Sequence, residues 1–282
     1  MRATHTFRLP LYILIALVVS GCAAMATQRL ADNLSHAMLN QDDPATVQAG
    51  APAYLLLIDS LIEDQPNDRY LLNAGAQLYN AYAGGLVESP TRAKRLTQKA
   101  RDYARRAMCR TSKKVCQAEN EPYDQFVETI GDISKGDLDI FYTYGTCWAG
   151  WIAARSDDWN ALAELPKAEA VLEKVVAQDP GYGRGRAQLY LAIMRSQLPP
   201  GMGGKPEEGK THFEQAIQYS DGRDLIAKVE YARLYARLTY NQELHDRLLD
   251  EVLKADPVEP DLTLSNVVAQ EKARKLKEDD YF

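Results

Sequence analysis

The sequence predicts an all-α protein made of helical hairpins that stack into a compact solenoid. Apolar residues recur with the 3.6-residue period of helices along most of the chain, and the alternation of Val, Ile and Thr that is typical of strands is nearly absent. Glycine, proline and short polar cap residues separate the periodic segments. Three of the predicted helices end in the same way, which suggests an internal repeat.

Apolar period and cap residues together predict twelve helices. They span roughly residues 24–40, 52–65, 68–84, 90–109, 121–134, 137–156, 158–178, 182–197, 206–220, 222–239, 241–255 and 260–277. Ser89 followed by Pro90 is a typical helix start, since serine caps the first amides and proline fits the first position. Asp157 and Asp221 are candidate caps for the helices that follow them. Pro166 is expected to split its segment into a short helix and a longer one.

The similar helix ends lie at segments 61–66, 175–180 and 252–257. In each, an apolar helix end closes on a polar residue and a proline, as in the second helix of a tetratricopeptide repeat. The prolines are 114 and 77 residues apart, so the repeats are degenerate and carry insertions. We therefore predict degenerate tetratricopeptide-like hairpins. The alternative is an ordinary helical-hairpin protein, which shows such turns as well.

The N-terminus has the three parts of a lipoprotein signal peptide. Arg2 and Arg8 give a basic start, residues 9–19 form a short apolar run, and small residues lead into Cys22. The run is too short to span a bilayer comfortably, because a membrane helix needs about 20 residues. We predict cleavage before Cys22 and lipidation of its thiol. The alternative is an uncleaved anchor with a chance cysteine.

These features divide the chain into a signal peptide (1–21), a lipidated tether (22–45) and a helical domain (46–282). The domain is expected to face the periplasm. Ala23 follows the lipidated cysteine, whereas inner-membrane retention in many Gram-negative bacteria is associated with Asp there. We therefore expect anchoring in the outer membrane.

The mature chain is acidic, with 31 basic residues against 39 acidic ones after residue 21. This balance argues against nucleic acid, which requires a basic stripe, and against electrostatic docking to anionic lipid. No second apolar run approaches membrane-spanning length. We therefore expect membrane attachment through the lipid anchor only.

The remaining three cysteines have different expected states. Cys109 and Cys116 lie seven residues apart and suit a disulfide in an oxidising periplasm, although a reduced pair is the alternative. Cys147 lies in an apolar helical pattern, which favours a buried core thiol over a nucleophile.

Catalytic and metal motifs are absent from the sequence. It contains no Gly-x-Ser-x-Gly, His-Glu-x-x-His or Gly-x-Gly-x-x-Gly. His36, His212 and His245 stand apart and give no metal-ligand spacing. The glycine-rich stretch 199–206 lacks phosphate-loop spacing and is expected to be a turn between helices. We predict a non-enzymatic protein without metal or cofactor.

Tyrosine is unusually common, with sixteen tyrosines against five phenylalanines. Tyr and Trp combine an apolar body with a polar tip, which suits a groove or tunnel for an amphipathic ligand. The alternative is that these aromatics fill the core beside small residues. The candidate tunnel residues are Tyr79, Tyr82, Tyr142, Tyr144, Trp148 and Trp151.

A collinear series of motifs resembles the T-component family of tripartite ATP-independent periplasmic (TRAP) transporters. No single motif is decisive, but the series spans nearly all of the mature chain. The matching segments are 79–83, 148–159, 198–206 (LPPGMGGKP), 212–216 (HFEQA), 231–237 (YARLYAR), 248–253 (LLDEVL), 264–266 (LSN) and the terminal 280–282 (DYF).

The resemblance implies a helical lipoprotein that assembles as a homotrimer, with a tunnel through each subunit. It also implies a partner, the periplasmic solute-binding protein of the transporter. We therefore predict an accessory protein that binds this partner and holds a hydrophobic or organic-acid ligand. The alternative is an envelope-assembly lipoprotein that binds segments of outer-membrane proteins.

Overall fold

The computed structural model describes residues 36–131 and 134–282, and every regular element among them is helical. After a helical turn at 36–39, the α-helices that lie wholly within this part of the chain are α1 Pro44–Asp64, α2 Arg69–Gly85, α3 Pro90–Thr111, α4 Lys113–Ala118, α5 Tyr123–Thr129, α6 Leu138–Ala153, α7 Trp159–Leu162, α8 Leu165–Gln178, α9 Arg186–Ser196, α10 Pro206–Tyr219, α11 Leu225–Glu230, α12 Gln242–Lys254 and α13 Thr263–Glu278. Short 3₁₀ turns at Lys135–Asp137, Tyr182–Gly185 and Pro200–Met202 join some of them, and α11 continues into a π-helical stretch at Tyr231–Ala236. The all-α class is confirmed.

Helices that follow one another in the chain pack against one another. The main pairs are α2 with α3, α3 with α6, α6 with α8, α8 with α9, and α9 with α10, followed by the C-terminal packing of α11, α12 and α13. Two hydrophobic clusters fill the space between them. One joins α1 to α9 around Trp148, and the other joins α9 to α13 around Phe213.

The first and last parts of the described chain also meet. The Asn40 side-chain oxygen accepts a hydrogen bond from the Asp261 amide at 2.9 Å, and its Nδ2 donates to the Asp261 carboxylate at 3.3 Å. Met38 and Leu264 both pack on the larger hydrophobic cluster. The helices therefore form a closed arrangement rather than an open row.

Several predicted helix boundaries match the structure. Ser89 caps α3 by accepting from the Arg92 amide at 3.4 Å, and Pro166 stands in the first turn of α8, after the short helix α7. The three proline-marked ends fall directly after α1, α8 and α12. The predicted cap at Asp157 is wrong by one residue, because Asp158 accepts from the Asn160 amide at 2.9 Å.

The predicted cap at Asp221 is also wrong. Asp221 adopts a left-handed backbone conformation with φ of 51°, and α11 begins only at Leu225. The predicted helix at 121–134 shortens to Tyr123–Thr129, and the one predicted at 24–40 falls mostly outside the described residues. Element ends are where local patterns are least informative, since one turn of helix can fray or tighten at little cost.

A single carboxylate fastens α1 to the α2–α3 hairpin. Asp59 accepts hydrogen bonds from the hydroxyls of Tyr79 and Tyr103, both at 2.8 Å, and forms an ion pair with Lys99 at 2.5 Å. Burial acts to raise the pKa of Asp59, but the hydrogen bonds from Lys99, Tyr103 and Tyr79 outweigh it and hold the pKa below its usual value. The charged form of Asp59 therefore stabilises the fold.

We expect Asp59→Asn to lower the free energy of unfolding at neutral pH by about 1–3 kcal/mol, because charge-assisted hydrogen bonds are lost. Since the folded pKa is depressed, this stabilisation is present above the unfolded pKa of about 3.9 and is lost as the pH falls through the folded value. Urea unfolding across this acid range should show a smaller pH dependence in the variant. Asp157→Asn, in an exposed pair with Lys94, is the matched control. Identical acid profiles for Asp59→Asn and the native chain would contradict this role.

By length and composition α1 could cross a membrane, since its most apolar window of 18 residues has a mean hydropathy of 1.3. It is the only such helix in the described part of the chain. Only 22% of that window is buried. The test is weak, because core helices and signal sequences also pass it. Here, Val47, Ala51, Leu55 and Ile62 of α1 are buried against the body.

Candidate functional site

Three tyrosines from different elements lie together and form what we call the tyrosine cluster. The ring of Tyr142 on α6 lies 5.1 Å from the ring of Tyr182 and 6.2 Å from the ring of Tyr190 on α9, in tilted and edge-on orientations. Such arrangements suit the aromatic quadrupole. The cluster brings together one predicted tunnel residue, Tyr142, and two residues that were not predicted.

A buried ion pair lies next to the tyrosine cluster. The Arg186 Nε donates to Asp224 Oδ2 at 2.6 Å, and its Nη2 donates to Asp224 Oδ1 at 3.1 Å and to Ser265 Oγ at 3.0 Å. Asp224 is almost fully buried, with 4% of its side chain exposed. Among the described residues, the Arg186 Nη1 has no hydrogen-bond partner. One edge of the guanidinium is therefore free to donate.

The tyrosine cluster and Arg186 lie close together and are only partly buried. Burial is the largest influence on the pKa values of Tyr142 and Tyr190, and it raises both above the usual value for tyrosine. Both side chains nevertheless keep accessible surface, and Arg186 keeps 30% of its own. These side chains are therefore half-buried and still reached by water. Desolvated aromatic faces and one free guanidinium edge are the groups that this surface offers.

A polar network adjoins the tyrosine cluster through Tyr182. Asp139 accepts hydrogen bonds from Asn73 Nδ2 at 2.6 Å, from Gln77 Nε2 at 3.1 Å and from the Tyr182 hydroxyl at 3.2 Å. These neutral donors hold the carboxylate in place, and Asp139 itself is exposed. The network fixes α2 and α6 relative to Tyr182.

The family comparison supports the predicted resemblance. A model of the family described as TRAP transporter T-component matches residues 40–282. The chain belongs to this family. Its members are accessory components of transport and are not a known enzyme family, and such a component is consistent with a location in the cell envelope. Among curated proteins, no sequence matches the chain.

In this T-component family member, the six predicted tunnel residues do not share one surface. Tyr79 and Tyr82 are buried at the side of α2 that faces α1, where the Tyr82 hydroxyl donates to the Gln48 carbonyl at 3.2 Å. Tyr144 and Trp148 are each 1% exposed, and the Trp148 ring contacts Phe126 edge-on at 6.0 Å. The role of these four residues in a tunnel remains a prediction.

Trp151, the sixth candidate, packs between two guanidinium groups. The Arg101 and Arg155 Cζ atoms lie 4.5 Å and 4.6 Å from its ring, and its Nε1 donates to Gln98 Oε1 at 2.6 Å. The Arg101 guanidinium also lies 4.8 Å from the ring of Trp148. This layer of cations and rings joins α3 to α6. It is separate from the tyrosine cluster because the two groups occupy opposite faces of α6.

The sequence-based predictions of site residues did not include Tyr182, Arg186 or Tyr190. Their spacing of four residues would place them on one face of a helix, and this was a signal for a shared surface. Tyr182 instead belongs to a 3₁₀ turn that contains Gly183 and Arg184 at positive φ, and α9 starts at Arg186. The turn nevertheless brings all three side chains toward the same region.

The four cysteines differ in their surroundings. Cys109 and Cys116 form a disulfide in the structure, with their Cα atoms 4.8 Å apart. Cys147 is a free, fully buried thiol whose Sγ lies 3.6 Å from the Ala76 carbonyl oxygen. Burial raises the pKa of the Cys147 thiol well above its usual value, so it is a poor nucleophile. The predicted lipidation site, Cys22, lies outside the described residues.

The glycine-rich motif at 198–206 forms a turn between α9 and α10, as expected. Gly203 has a φ of 89°, and a Cβ on Gly204 would overlap the backbone carbonyl oxygen of Leu198. The turn is tied to α9 by a hydrogen bond from the Lys205 amide to the Arg195 carbonyl at 2.8 Å. The tight backbone explains the glycine at position 204, and the motif supplies a connection rather than a phosphate site.

The three histidines stay apart, and within residues 36–131 and 134–282 no group of three or more potential metal ligands comes together. His212 contacts the Arg195 guanidinium through Nε2 at 2.8 Å and the Gln188 side-chain oxygen through Nδ1 at 2.6 Å. Burial and the Arg195 charge lower the pKa of His212 to about 4. The ring is therefore neutral at physiological pH and links α9 to α10.

Proposed function

We propose that the protein is a non-enzymatic, periplasm-facing lipoprotein that serves a TRAP transport system by binding its periplasmic solute-binding protein. The family match carries this proposal, since it extends over residues 40–282. Cys22 is the proposed lipidation site, and the outer membrane is the proposed location. The active assembly is proposed to be a homotrimer, as the family resemblance implies.

The ligand is proposed to occupy a concave surface formed by the tyrosine cluster and Arg186. Tyr142, Tyr182 and Tyr190 offer aromatic faces for apolar groups, and the free edge of Arg186 can donate to a carboxylate. This combination favours an organic acid with an apolar body. The closure between Asn40 and Asp261 supports a channel over an open groove, because it joins the two ends of the helical array.

The helices are proposed to be degenerate tetratricopeptide-like hairpins. In this arrangement α2 with α3, α6 with α8, and α9 with α10 are successive hairpins, and α4 and α5 are an insertion. The order of helix packing supports it, since the second helix of each hairpin contacts the first helix of the next. Repeats of this kind present extended concave surfaces, which suits both a ligand and a protein partner.

Native mass spectrometry of the protein, released from its source envelope in mild detergent, tests these points together. We expect a complex whose mass is that of three chains, with acyl chains on Cys22 and with the solute-binding protein attached. Recovery of barrel-assembly components without a solute-binding protein would overturn the proposal and favour the envelope-assembly alternative.

The ligand site has its own test. We expect Tyr142→Ala and Tyr190→Ala to remove a co-purifying small molecule, or to weaken its retention by about fivefold or more, because each loses an aromatic contact worth about 1 kcal/mol or more. Tyr240→Ala is the control, since Tyr240 is 79% exposed. Capture of the solute-binding protein should persist in all three variants. Unchanged ligand mass in Tyr142→Ala and Tyr190→Ala would place the ligand elsewhere.

A further inference from the structure

One side of α1 is apolar and uncovered. Leu56 and Leu57 are 71% and 53% exposed, and Ala49, Gly50 and Ala53 on the preceding turns are exposed as well. The helix carries no charged residue between its start at Pro44 and Asp59. A leucine pair beside small residues is an unusual feature for a surface that only contacts water.

The neighbouring helix is strongly basic, although the chain as a whole has a net charge of −6. Residues 90–114 contain ten basic residues and a single acidic one, Asp102. We call the cations of this segment without a carboxylate partner among the described residues the basic row. Its members are Arg92, Arg95, Arg106, Arg110, Lys113 and Lys114.

Side chains of α3 reach α1, or the turn after it, at three levels. Near the start of both helices, the Arg92 Nη2 donates to the Tyr82 hydroxyl at 3.2 Å, and that hydroxyl donates to the Gln48 carbonyl of α1. At the middle, Lys99 pairs with Asp59. Just beyond the end of α1, the Arg106 Nη2 donates to the Pro66 carbonyl at 2.7 Å. The two helices are therefore parallel, and their exposed sides are neighbours.

A cleft of about 280 Å³ lies at the far end of the row. Arg106, Arg110 and Lys113 line it together with the disulfide of Cys109 and Cys116. Arg110 donates to the Asn67 side-chain oxygen, so a neutral group is its partner. Three cations beside an apolar cystine can receive a phosphate that carries an apolar chain.

We propose that the exposed side of α1 and the basic row together lie on an anionic phospholipid bilayer. Apolar side chains beside a row of Lys and Arg are the features of a protein surface that rests at a membrane interface. Three exposed acidic side chains of these two helices oppose the attraction in part, Asp102 within the basic segment and Glu63 and Asp64 at the end of α1. The cations of the basic row outnumber them.

The proposed lipid anchor makes a membrane the natural occupant, and the inference rests on that part of the proposed function. Cys22 and residue 36 are fourteen positions apart, so the anchor can lie at most about 50 Å from the start of the described chain. The tether keeps the folded body close to the bilayer, which raises the effective concentration of lipid at the exposed side of α1 and the basic row. Docking fixes one orientation of the body relative to the membrane, whereas an anchor alone leaves it free to turn.

Lysine footprinting of the full-length protein from its envelope, reconstituted into vesicles, tests the proposal. One vesicle type contains phosphatidylcholine and phosphatidylglycerol at 3:1, and the other contains phosphatidylcholine alone. We expect a water-soluble acylating reagent to modify Lys113 and Lys114 several-fold more slowly in the anionic vesicles than in detergent. Lys254 and Lys275, on the C-terminal hairpin and also exposed, are the internal controls and should react equally in all samples.

A charge variant, Arg106→Gln/Arg110→Gln/Lys113→Gln, should lose the protection of Lys114. Its matched control, Lys254→Gln/Arg274→Gln/Lys275→Gln, removes the same charge elsewhere and should keep it. Removing three cations lowers association with anionic headgroups by roughly 100-fold, at about 1 kcal/mol per cation. Leu56→Ser/Leu57→Ser should lose protection as well.

Several outcomes would overturn the proposal. Equal acylation of Lys113 in anionic vesicles and in detergent would do so, because no lipid would then cover the surface. Protection that is the same in both vesicle types would remove the role of the basic row. Protection in detergent that grows with protein concentration would indicate a second copy as the occupant. Intact mass at Cys22 reports the anchor separately, so failure of the lipoprotein proposal is distinguishable from failure of docking.

Discussion

We expect Trp148→Ala to lower the free energy of unfolding by about 3–5 kcal/mol, the usual cost of deleting a buried aromatic side chain. Trp148 is 1% exposed, lies 5.3 Å from the ring of Tyr144, and donates through Nε1 to Glu164 Oε2 at 2.6 Å. The variant would leave a cavity and would remove one of the two donors to Glu164 Oε2, the other being Arg101 Nη2. Urea unfolding followed by far-ultraviolet circular dichroism measures the change.

Trp159→Ala is the matched control, because Trp159 is 73% exposed and its loss should change the free energy of unfolding by less than about 0.5 kcal/mol. The pair distinguishes the two roles considered for Trp148. A Trp148→Ala variant with native stability and diminished ligand retention would mean that the ring serves as the wall of a binding site. A large loss of stability would mean that Trp148 acts mainly as core.

Arg186→Leu is expected to lower the free energy of unfolding by about 3–5 kcal/mol, since it leaves the Asp224 charge buried without a partner. Asp224 is 4% exposed, and both of its carboxylate oxygens accept from Arg186. Arg186→Lys should recover only part of the loss, because an ammonium cannot reproduce the two parallel hydrogen bonds. Thermal and urea unfolding at neutral pH would report both effects.

The exposed pair of Lys94 and Asp157 provides the comparison for this prediction. Lys94→Gln should cost less than about 1 kcal/mol, as is usual for ion pairs in water. The double variant Arg186→Met/Asp224→Leu should regain much of the stability that Arg186→Leu loses, since neither charge remains buried. If the double variant is as unstable as the single one, the defect arises from packing rather than from an uncompensated charge.

The candidate site shows why the sequence pattern predicted only one of the three residues of the tyrosine cluster. Tyr142 and Tyr144 were predicted as partners in one tunnel, yet residues two apart on a helix point about 200° away from each other. Tyr142 consequently faces Tyr182 and Tyr190, and Tyr144 faces the hydrophobic core. Aromatic composition indicated an unusual interior. It did not indicate which aromatic side chains belong to the tyrosine cluster.

The charge distribution was also only partly predictable from the sequence. The net charge of −6 favoured a protein that anionic lipid does not attract, and this holds for the chain as an average. The basic segment at 90–114 was visible in the sequence, but its meaning depends on α1 lying parallel to it. Electrostatic attraction acts over about 10 Å at physiological salt, so local arrangement decides it rather than net charge.

The sequence by itself determined the helical class, the family, the position of the helix that Pro166 begins, and the spacing that allows a disulfide between Cys109 and Cys116. All of these depend on periods, caps or motifs within short segments of chain, where backbone hydrogen bonds and side-chain direction are local.

The tertiary structure alone decided the contacts between distant residues. Arg186 meets Asp224 across 38 residues, and Asn40 meets Asp261 across 221. The period of apolar residues does not predict such pairs, because they depend on how whole helices pack against one another. Packing also decides which charges are buried and therefore need a partner of opposite charge. The tyrosine cluster and the exposed side of α1 both result from that packing.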